Sequence, residues 1–571
     1  MLATAPHVPL LLSAAALLGP PVAAQVAAHQ KISDEAGGFG GTLDVIDSFG
    51  HASAALGDLD GDGVADLAVG SHFDGDGGAK RGAVWILFLN ADGSVKAEQK
   101  ISATEGGFAG VLDDGDVFGS ALAGLGDLDR DGVVDLAVGA PDDDDGAPAA
   151  GAVWILFLNA DGTVKACRKI SAFEGGFAGQ LDAGDTFGSA LAGLGDHDGD
   201  GVVDVAVGAP GDGDGGPQHG AVWVLFLNVD GSVKAERKIS DSAGGFAGDL
   251  QNADFFGYSV AALGDYDEDG AGELAVGSAE AGFFGHRGIP PSAGAVWVLF
   301  LNDDGSVKGE RKIGDGIGAF DGELDHFDRF GRGLAALGDL DGDGLQELAV
   351  GAPDDDDGGL GLKANQGAVW LLFLAPDATV RAHRKISALA GGFAGELDPF
   401  DRFGTSLCAA GDLDGDGLGD LAVGAPEDDD GGTGHGAAWI LFLDPVAPAT
   451  EVVRAGSPPN PVVFFPGRTS APVVGAVWDP VATPALPAPL LDWMRVSFQP
   501  VNVPLGPLGT LLCDPSGAGF VVTSPPGNPF QVAIPQDPEA VGLPFCAQVA
   551  SVDADATVLL TNALDCVIGT F

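Results

Sequence analysis

Asp127-Leu128-Asp129-Arg130-Asp131-Gly132-Val133-Val134-Asp135 sets carboxylates at alternate positions, a glycine at the sixth and an acid at the ninth. Alternating carboxylates around a glycine turn make a cage of hard oxygen ligands suited to Ca²⁺. The pattern begins again at Asp58, Asp196, Asp265, Asp339 and Asp412, giving six copies 69 to 74 residues apart. Periodicity of that length marks an array of supersecondary units.

Each unit holds four strand-like runs, which in the second copy are Phe118 to Leu125, Val133 to Val138, Gly151 to Leu158 and Val164 to Ser171. The acidic loop joins the first two runs. An Asn159-Ala160-Asp161-Gly162 turn joins the last two, a strong hairpin signal. No helical period intervenes. The third run, Gly-Ala-Val-Trp-Ile-Leu-Phe-Leu, is apolar on both faces, so it must be covered from both sides. Stacking four-stranded blades about an axis supplies that cover. The tryptophans of this run (Trp85, Trp154, Trp223, Trp297, Trp370 and Trp439) are read as blade-to-blade packing. Phe108, Phe177, Phe246 and Phe393, in Gly-Gly-Phe-Ala-Gly connections, are read as packing anchors.

The fourth run carries a Lys-Ile pair at Lys31, Lys100, Lys169, Lys238, Lys312 and Lys385. The first precedes the first acidic loop and none follows the sixth tryptophan. The N-terminal strand is therefore expected to complete the last blade and leave no sheet edge open. The fold expected is all-β: a six-bladed β-propeller over residues 25–445 closed by the N-terminal strand. A Pro-rich linker (446–461) and a small β-sandwich-like C-terminal domain (462–571) follow, the latter read from short strands punctuated by proline.

The chain has 571 residues and a net charge of −57, nearly all of it before Glu451. Such acidity argues against nucleic acid, which needs basic patches, and against anionic membrane surfaces; it favours cations or basic partners. Hydrophobic residues at 46% argue against disorder. The apolar stretch from Val8 to Leu18, followed by Val22-Ala23-Ala24, reads as a secretory signal cut after Ala24. It is short for a transmembrane helix, and no later segment qualifies. Cys167 and Cys408 fall in different repeats and read as buried thiols. Cys513, Cys546 and Cys566 lie together in the C-terminal part, where one disulfide is plausible in an oxidising compartment.

A Phe-Gly pair precedes each loop, and Gly-Ala-Pro follows most of them. Examples are Phe118-Gly119 with Gly139-Ala140-Pro141, Phe187-Gly188 with Gly208-Ala209-Pro210, Phe330-Gly331 with Gly351-Ala352-Pro353, and Phe403-Gly404 with Gly424-Ala425-Pro426. Two copies depart from it, Phe49-Gly50 with Gly70-Ser71-His72 and Phe256-Gly257 with Gly277-Ser278-Ala279. The pattern resembles the FG-GAP repeats of integrin α-subunit propellers and their bacterial secreted relatives, although integrin propellers have seven blades. The resemblance implies a Ca²⁺-stabilised extracellular scaffold with up to six ions. Carried over loop by loop, it implies as ligands Asp58, Asp60, Asp62 and Asp66; Asp127, Asp129, Asp131 and Asp135; and Asp196, Asp198, Asp200 and Asp204. The remaining loops give Asp265, Asp267, Asp269 and Glu273; Asp339, Asp341, Asp343 and Glu347; and Asp412, Asp414, Asp416 and Asp420. Each carboxylate pair at ~4 Å repels by about 1 kcal/mol even at the dielectric constant of water, and a bound cation reverses that sign. His197, at a non-ligand position of its loop, is expected to be exposed.

The leading functional expectation is a secreted or cell-surface Ca²⁺-dependent binding or adhesion module for a protein or glycan ligand. An enzyme acting on extracellular polymers and a structural envelope protein are the alternatives, because fold does not fix function. The sequence shows no nucleophile elbow, no His-rich zinc motif and no acid–base constellation confined to one repeat. The loops opposite the aspartate loops are long and again acidic, as at Asp142 to Asp145 and Asp212 with Asp214. They read either as a face for cations or basic ligands or as a solubilising rim.

Overall fold

A computed structural model describes residues 24–279, 293–356 and 365–445, and beyond these only strand segments between residues 450 and 567. Residues 1–23 of the expected leader, residues 446–449 and 455–461 of the expected linker, and the three C-terminal cysteine side chains lie outside the described residues; Thr450–Arg454, within the span expected as linker, is instead a strand of the second unit, paired with Val558–Val567. The described chain divides into two compact units, one spanning Ala24–Asp444, the other holding the strands from Pro445 onward.

Among the described residues the first unit is wholly β. Its strands form six antiparallel four-stranded sheets. In the first blade they are Phe49–Gly57, Asp66–Ser71, Ala83–Leu89 and Val95–Ser102. In the second they are Leu122–Gly126, Asp135–Ala140, Ala152–Leu158 and Val164–Ile170. The inner run of the second blade starts later than its sequence suggests. Phe118 instead bridges Gly82 of the blade before it. The same parallel bridge recurs between every pair of neighbours and ends with Phe49 on Gly436, so the ring is closed. The sixth blade contains Leu407–Gly411, Asp420–Ala425 and Ala437–Pro445, and takes its fourth strand from the N-terminus, Ala24–Ile32.

The two glycines of the repeat motif sit where blades touch. A β-carbon on Gly119, whose φ is +91°, would run into the carbonyl of Ala83 in the preceding blade; one on Gly139 would meet the carbonyl of Gly188 in the following blade. Only glycine permits that approach. The third strands of the first, second, third and fifth blades are buried along their whole length, as the apolar run requires, and that of the fourth is buried except at Phe300. The hydrophobic clusters each span two blades. One joins Ala52, Val84 and Ile86 of the first blade to Phe108, Trp154 and Leu156 of the second. Another joins Ile32, Ala410, Ala422 and Ile440 of the sixth blade to Leu67, Trp85 and Leu87 of the first. Phe108 lies edge-on to Trp154 with ring centroids 5.0 Å apart, and the same pairing recurs at Phe177–Trp223, Phe246–Trp297 and Phe393–Trp439. The tryptophans and these phenylalanines therefore form the wedges between blades. Cys408 is buried and Cys167 half-buried, both as free thiols.

The second unit contains a five-stranded antiparallel sheet made of Thr450–Arg454, Val558–Val567, Pro544–Asp553, Pro489–Ser497 and Gly519–Ser524, with shorter two-stranded pairs. No helix among the described residues is long and apolar enough to cross a membrane.

Candidate metal loops

Each acidic loop links the first and second strands of its blade and folds on its own carboxylates. In the first blade Asp58 accepts the amides of Gly61, Asp62 and Gly63 at 2.7 to 2.9 Å, and Asp62 accepts that of Val64 at 2.9 Å. The ninth-position acid does further work. Asp66 is fully buried and its two oxygens accept the amides of Leu59 in the loop, at 2.9 Å, and Leu89 at the end of the third strand, at 3.0 Å. Asp135, Asp204 and Asp420 repeat this clamp on Leu128 and Leu158, His197 and Leu227, and Leu413 and Leu443. Burial, only partly offset by these amides, pushes the carboxyls of Asp135, Asp204 and Asp420 up to about 6 and that of Glu347 up to about 8.

The loops draw carboxylate oxygens to within 4.8 Å of one another. The groups are Asp58, Asp60 and Asp62; Asp127, Asp129 and Asp135; Asp196, Asp198 and Asp204; Asp265, Asp267 and Asp269; and Asp339, Asp341 and Glu347. In the sixth loop Asp412 accepts the amides of Gly415 and Gly417, Asp414 that of Asp416, and Asp416 that of Leu418. The donor set is all oxygen, and several oxygens lack a hydrogen-bond partner: Asp129 Oδ1, Asp341 Oδ1 and Glu347 Oε1. Hard, crowded, under-satisfied oxygens fit a Ca²⁺ ion.

Sequence reasoning missed a cation built into the chain. Lys96, on the fourth strand, reaches Asp60 at 2.9 Å and also Asp62. Lys165, Lys234 and Lys308 do the same in the next three blades. Arg381 replaces them in the fifth, paired with Asp341 and with Asp343 at 2.8 Å. The signal was a basic residue four positions before each Lys-Ile pair. In the N-terminal strand that position, four before Lys31, is Ala27. The sixth loop thus has no tethered cation from its own fourth strand.

His197 corrects an expectation: it is buried, its Nε2–H donating to the carbonyl of Asn302 in the neighbouring blade at 3.1 Å. The second loop position points inward. Leu59, Leu128, Tyr266, Leu340 and Leu413 occupy it elsewhere and are equally buried. The apolar identity of those five residues was the available clue.

On the opposite face, the acidic loops are tied down rather than open. Lys100 pairs with Asp74 at 2.6 Å and Asp76 at 2.8 Å, and Lys169 with Asp143 and Asp145 at 2.6 and 2.7 Å. Lys238 holds Asp212 and Asp214, and Lys385 holds Asp355. Lys31 does the same across the ring closure, with Asp428 at 2.7 Å and Asp430 at 2.6 Å. Asp357, at the end of its acidic run, lies outside the described residues.

The FG-GAP repeat model matches residues 49–87, 118–156, 256–299, 330–372 and 403–441. The copy beginning at Phe187 lies outside these spans, yet it builds a blade of the same strand order. Integrin alpha-5 of Xenopus laevis is 34% identical over 180 residues, 32% of this chain and 15% of that protein. Integrin alpha pat-2 of Caenorhabditis briggsae is 28% identical over 284 residues, 48% of this chain and 20% of that protein. Integrin alpha-M of Mus musculus is 40% identical over 97 residues, 17% of this chain and 8% of that protein. The chain thus spans a small part of the length of these relatives. With five matched repeats and a closed ring of motif-joined blades, the chain is an FG-GAP repeat protein whose propeller resembles that of integrin α-subunits.

Proposed function

We propose that this protein is a calcium-stabilised binding or adhesion module that works outside the cell or at its surface and engages a protein or glycan ligand. The observation that carries this reading is the six-fold set of carboxylate loops on one rim of a rigid ring. A single loop would be a local turn; six in register make divalent cations part of the scaffold. The side chains that hold Ca²⁺ are the four acids of each loop given above, from Asp58 to Asp420. At free Ca²⁺ a hundredfold above Kd, each filled site adds roughly 2.7 kcal/mol.

The similarity to integrin α chains supports a binding role over catalysis. The apolar leader of residues 1–24 supports export. A Pro-rich linker within 446–461, interrupted by the strand Thr450–Arg454, and the β-rich domain at 462–571 complete the organisation we propose. Elemental analysis of protein kept in millimolar calcium, joined to protein and glycan arrays probed with and without EGTA, tests the reading. Bound calcium and a ligand lost on chelation are expected; a metal-free protein with an unchanged melt in EGTA overturns it.

A further inference from the structure

The six blades repeat closely, yet one ring of positions does not. The residue after each Phe-Gly pair is His51, Ser120, Ser189, Tyr258, Arg332 or Thr405, and all six line the mouth of the central axis opposite the aspartate loops. Structural positions of this array keep their type from blade to blade, as the tryptophans do. A ring that varies residue by residue is not set by blade packing.

Arg332 is the charged member. Its guanidinium lies 4.4 Å from the centroid of the Tyr258 ring, and it meets no carboxylate at ion-pair distance among the described residues. Its neighbours are matched. Arg329 pairs with Asp354 at 2.9 Å, and Arg402 reaches Asp354 and Glu427, each at 3.3 Å. A half-buried guanidinium with no carboxylate partner among the described residues, in a chain of net charge −57, is a site that an anion would complete. Arg332 borders a cavity of about 340 Å³, within the range of small-ligand sites. Phe73, Phe255 and Tyr258 give that cavity aromatic walls, while Ser189, Thr186 and Gln218 give it hydroxyl and amide groups. His72, also in the wall, is buried with its Nδ1 lacking a hydrogen-bond partner. Asp142, also in the wall, offers a carboxylate that accepts from hydroxyls and repels a bare anion.

We propose that this axial mouth binds a carboxylated sugar, a uronate unit whose carboxylate pairs with Arg332 and whose ring and hydroxyls fill the cavity walled by Phe73, Phe255 and Tyr258. A guanidinium matches a carboxylate through two parallel N–H donors. Aromatic faces suit the apolar faces of a pyranose, and Asp142, Gln218 and the hydroxyls suit its polar edge. A small inorganic anion would satisfy Arg332 but leave the walls unused and face Asp142. The proposal rests on the ligand-binding reading above and names its substrate class.

The test is calorimetric titration of the full chain in millimolar calcium with trigalacturonate, with its neutral counterpart galactotriose and with triglutamate. Trigalacturonate is expected to bind at least tenfold more tightly than either. Arg332→Gln should weaken it at least tenfold at an unchanged melting temperature, and Arg332→Lys should keep part of the affinity. Ser120→Phe, which fills the cavity from another blade, should abolish binding with Arg332 intact and serves if Arg332→Gln unfolds. No trigalacturonate binding, equal binding by Arg332→Gln, or triglutamate binding as tightly each overturns the proposal. If array ligands bind while the Arg332 variants hold them unchanged, this site falls but the binding module stands. If no array ligand binds at all, both fall.

Discussion

Replacing Lys31 by Met probes the ring closure at its weakest joint. The Lys31 ammonium bridges Asp428, whose side chain is only 2% exposed, and Asp430, which is 37% exposed. It also lies 5.3 Å from the centroid of Trp439. The exposed pair contributes ~0–1 kcal/mol and the aromatic contact about 0.5–1 kcal/mol. The buried pair dominates, because its loss strands a buried carboxylate at a cost of ~3–5 kcal/mol. Lys100→Met in the first blade removes nearly the same geometry, with Asp74 at 2.6 Å and 3% exposed. The two variants differ in covalent context. The strand bearing Lys100 follows directly from its neighbour through a tight turn, while that bearing Lys31 is held in its blade only by non-covalent contacts. Hydrogen exchange read by mass spectrometry should therefore show residues 24–32 exchanging early in Lys31→Met while the other blades stay protected. In Lys100→Met the loss should spread over the ring. A cost under about 1 kcal/mol in urea, or uniform exchange throughout Lys31→Met, refutes the reasoning.

Asp135→Asn should leave one of the amides of Leu128 and Leu158 unsatisfied, costing ~1–3 kcal/mol in calcium and less in EGTA, where the buried charge is itself a burden; urea denaturation in both buffers checks this. Lys96→Met removes the ammonium between Asp60 and Asp62, so the chelated protein should melt lower while calcium titration shows tighter binding; weaker calcium binding would contradict it. In EGTA, stability should rise as pH falls from 8 to 5. Burial raises the carboxyls of Asp116 and Asp185 to about 6 and of Asp328 and Asp401 to about 7, against an ordinary 3.8. Groups raised on folding stabilise fully below 3.8 and lose that contribution as pH climbs through 6 to 7; thermal melts that decline steadily on acidification from 8 to 5 would refute this.

Much of the architecture was legible because it recurs. The interval between aspartate loops set the blade count, the doubly apolar run around Trp154 demanded stacking, and the Lys-Ile pair at Lys31, before any loop, announced the closing strand. What stayed hidden was contact between residues distant in sequence. Lys96 and Asp62 are 34 residues apart, and Lys100 and Asp74 meet only when the outer strand folds back. Both lysines repeat as faithfully as the aspartates, yet a period alone does not say which repeated charges meet. His197 was misjudged because it was read as a lone polar residue rather than as the occupant of an inward-facing position. The axial ring was invisible for the opposite reason: its members share a place but not one residue type.

The closing strand also sets a kinetic order. Ser33, just past its end, hydrogen-bonds Asp430, 397 residues further along the chain. The strand at Ala24–Ile32, made before any of the blade repeats, must wait for the last blade before it can dock. Until then five blades stand as an open arc, with one sheet edge bare and its complement dangling. Loop-closure entropy grows only slowly with such a span, but pairings this remote slow folding. An unfilled edge accepts the matching strand of a second chain as readily as its own. Crowded nascent chains should thus interlock into swapped dimers, and diluting them during refolding should restore the monomer.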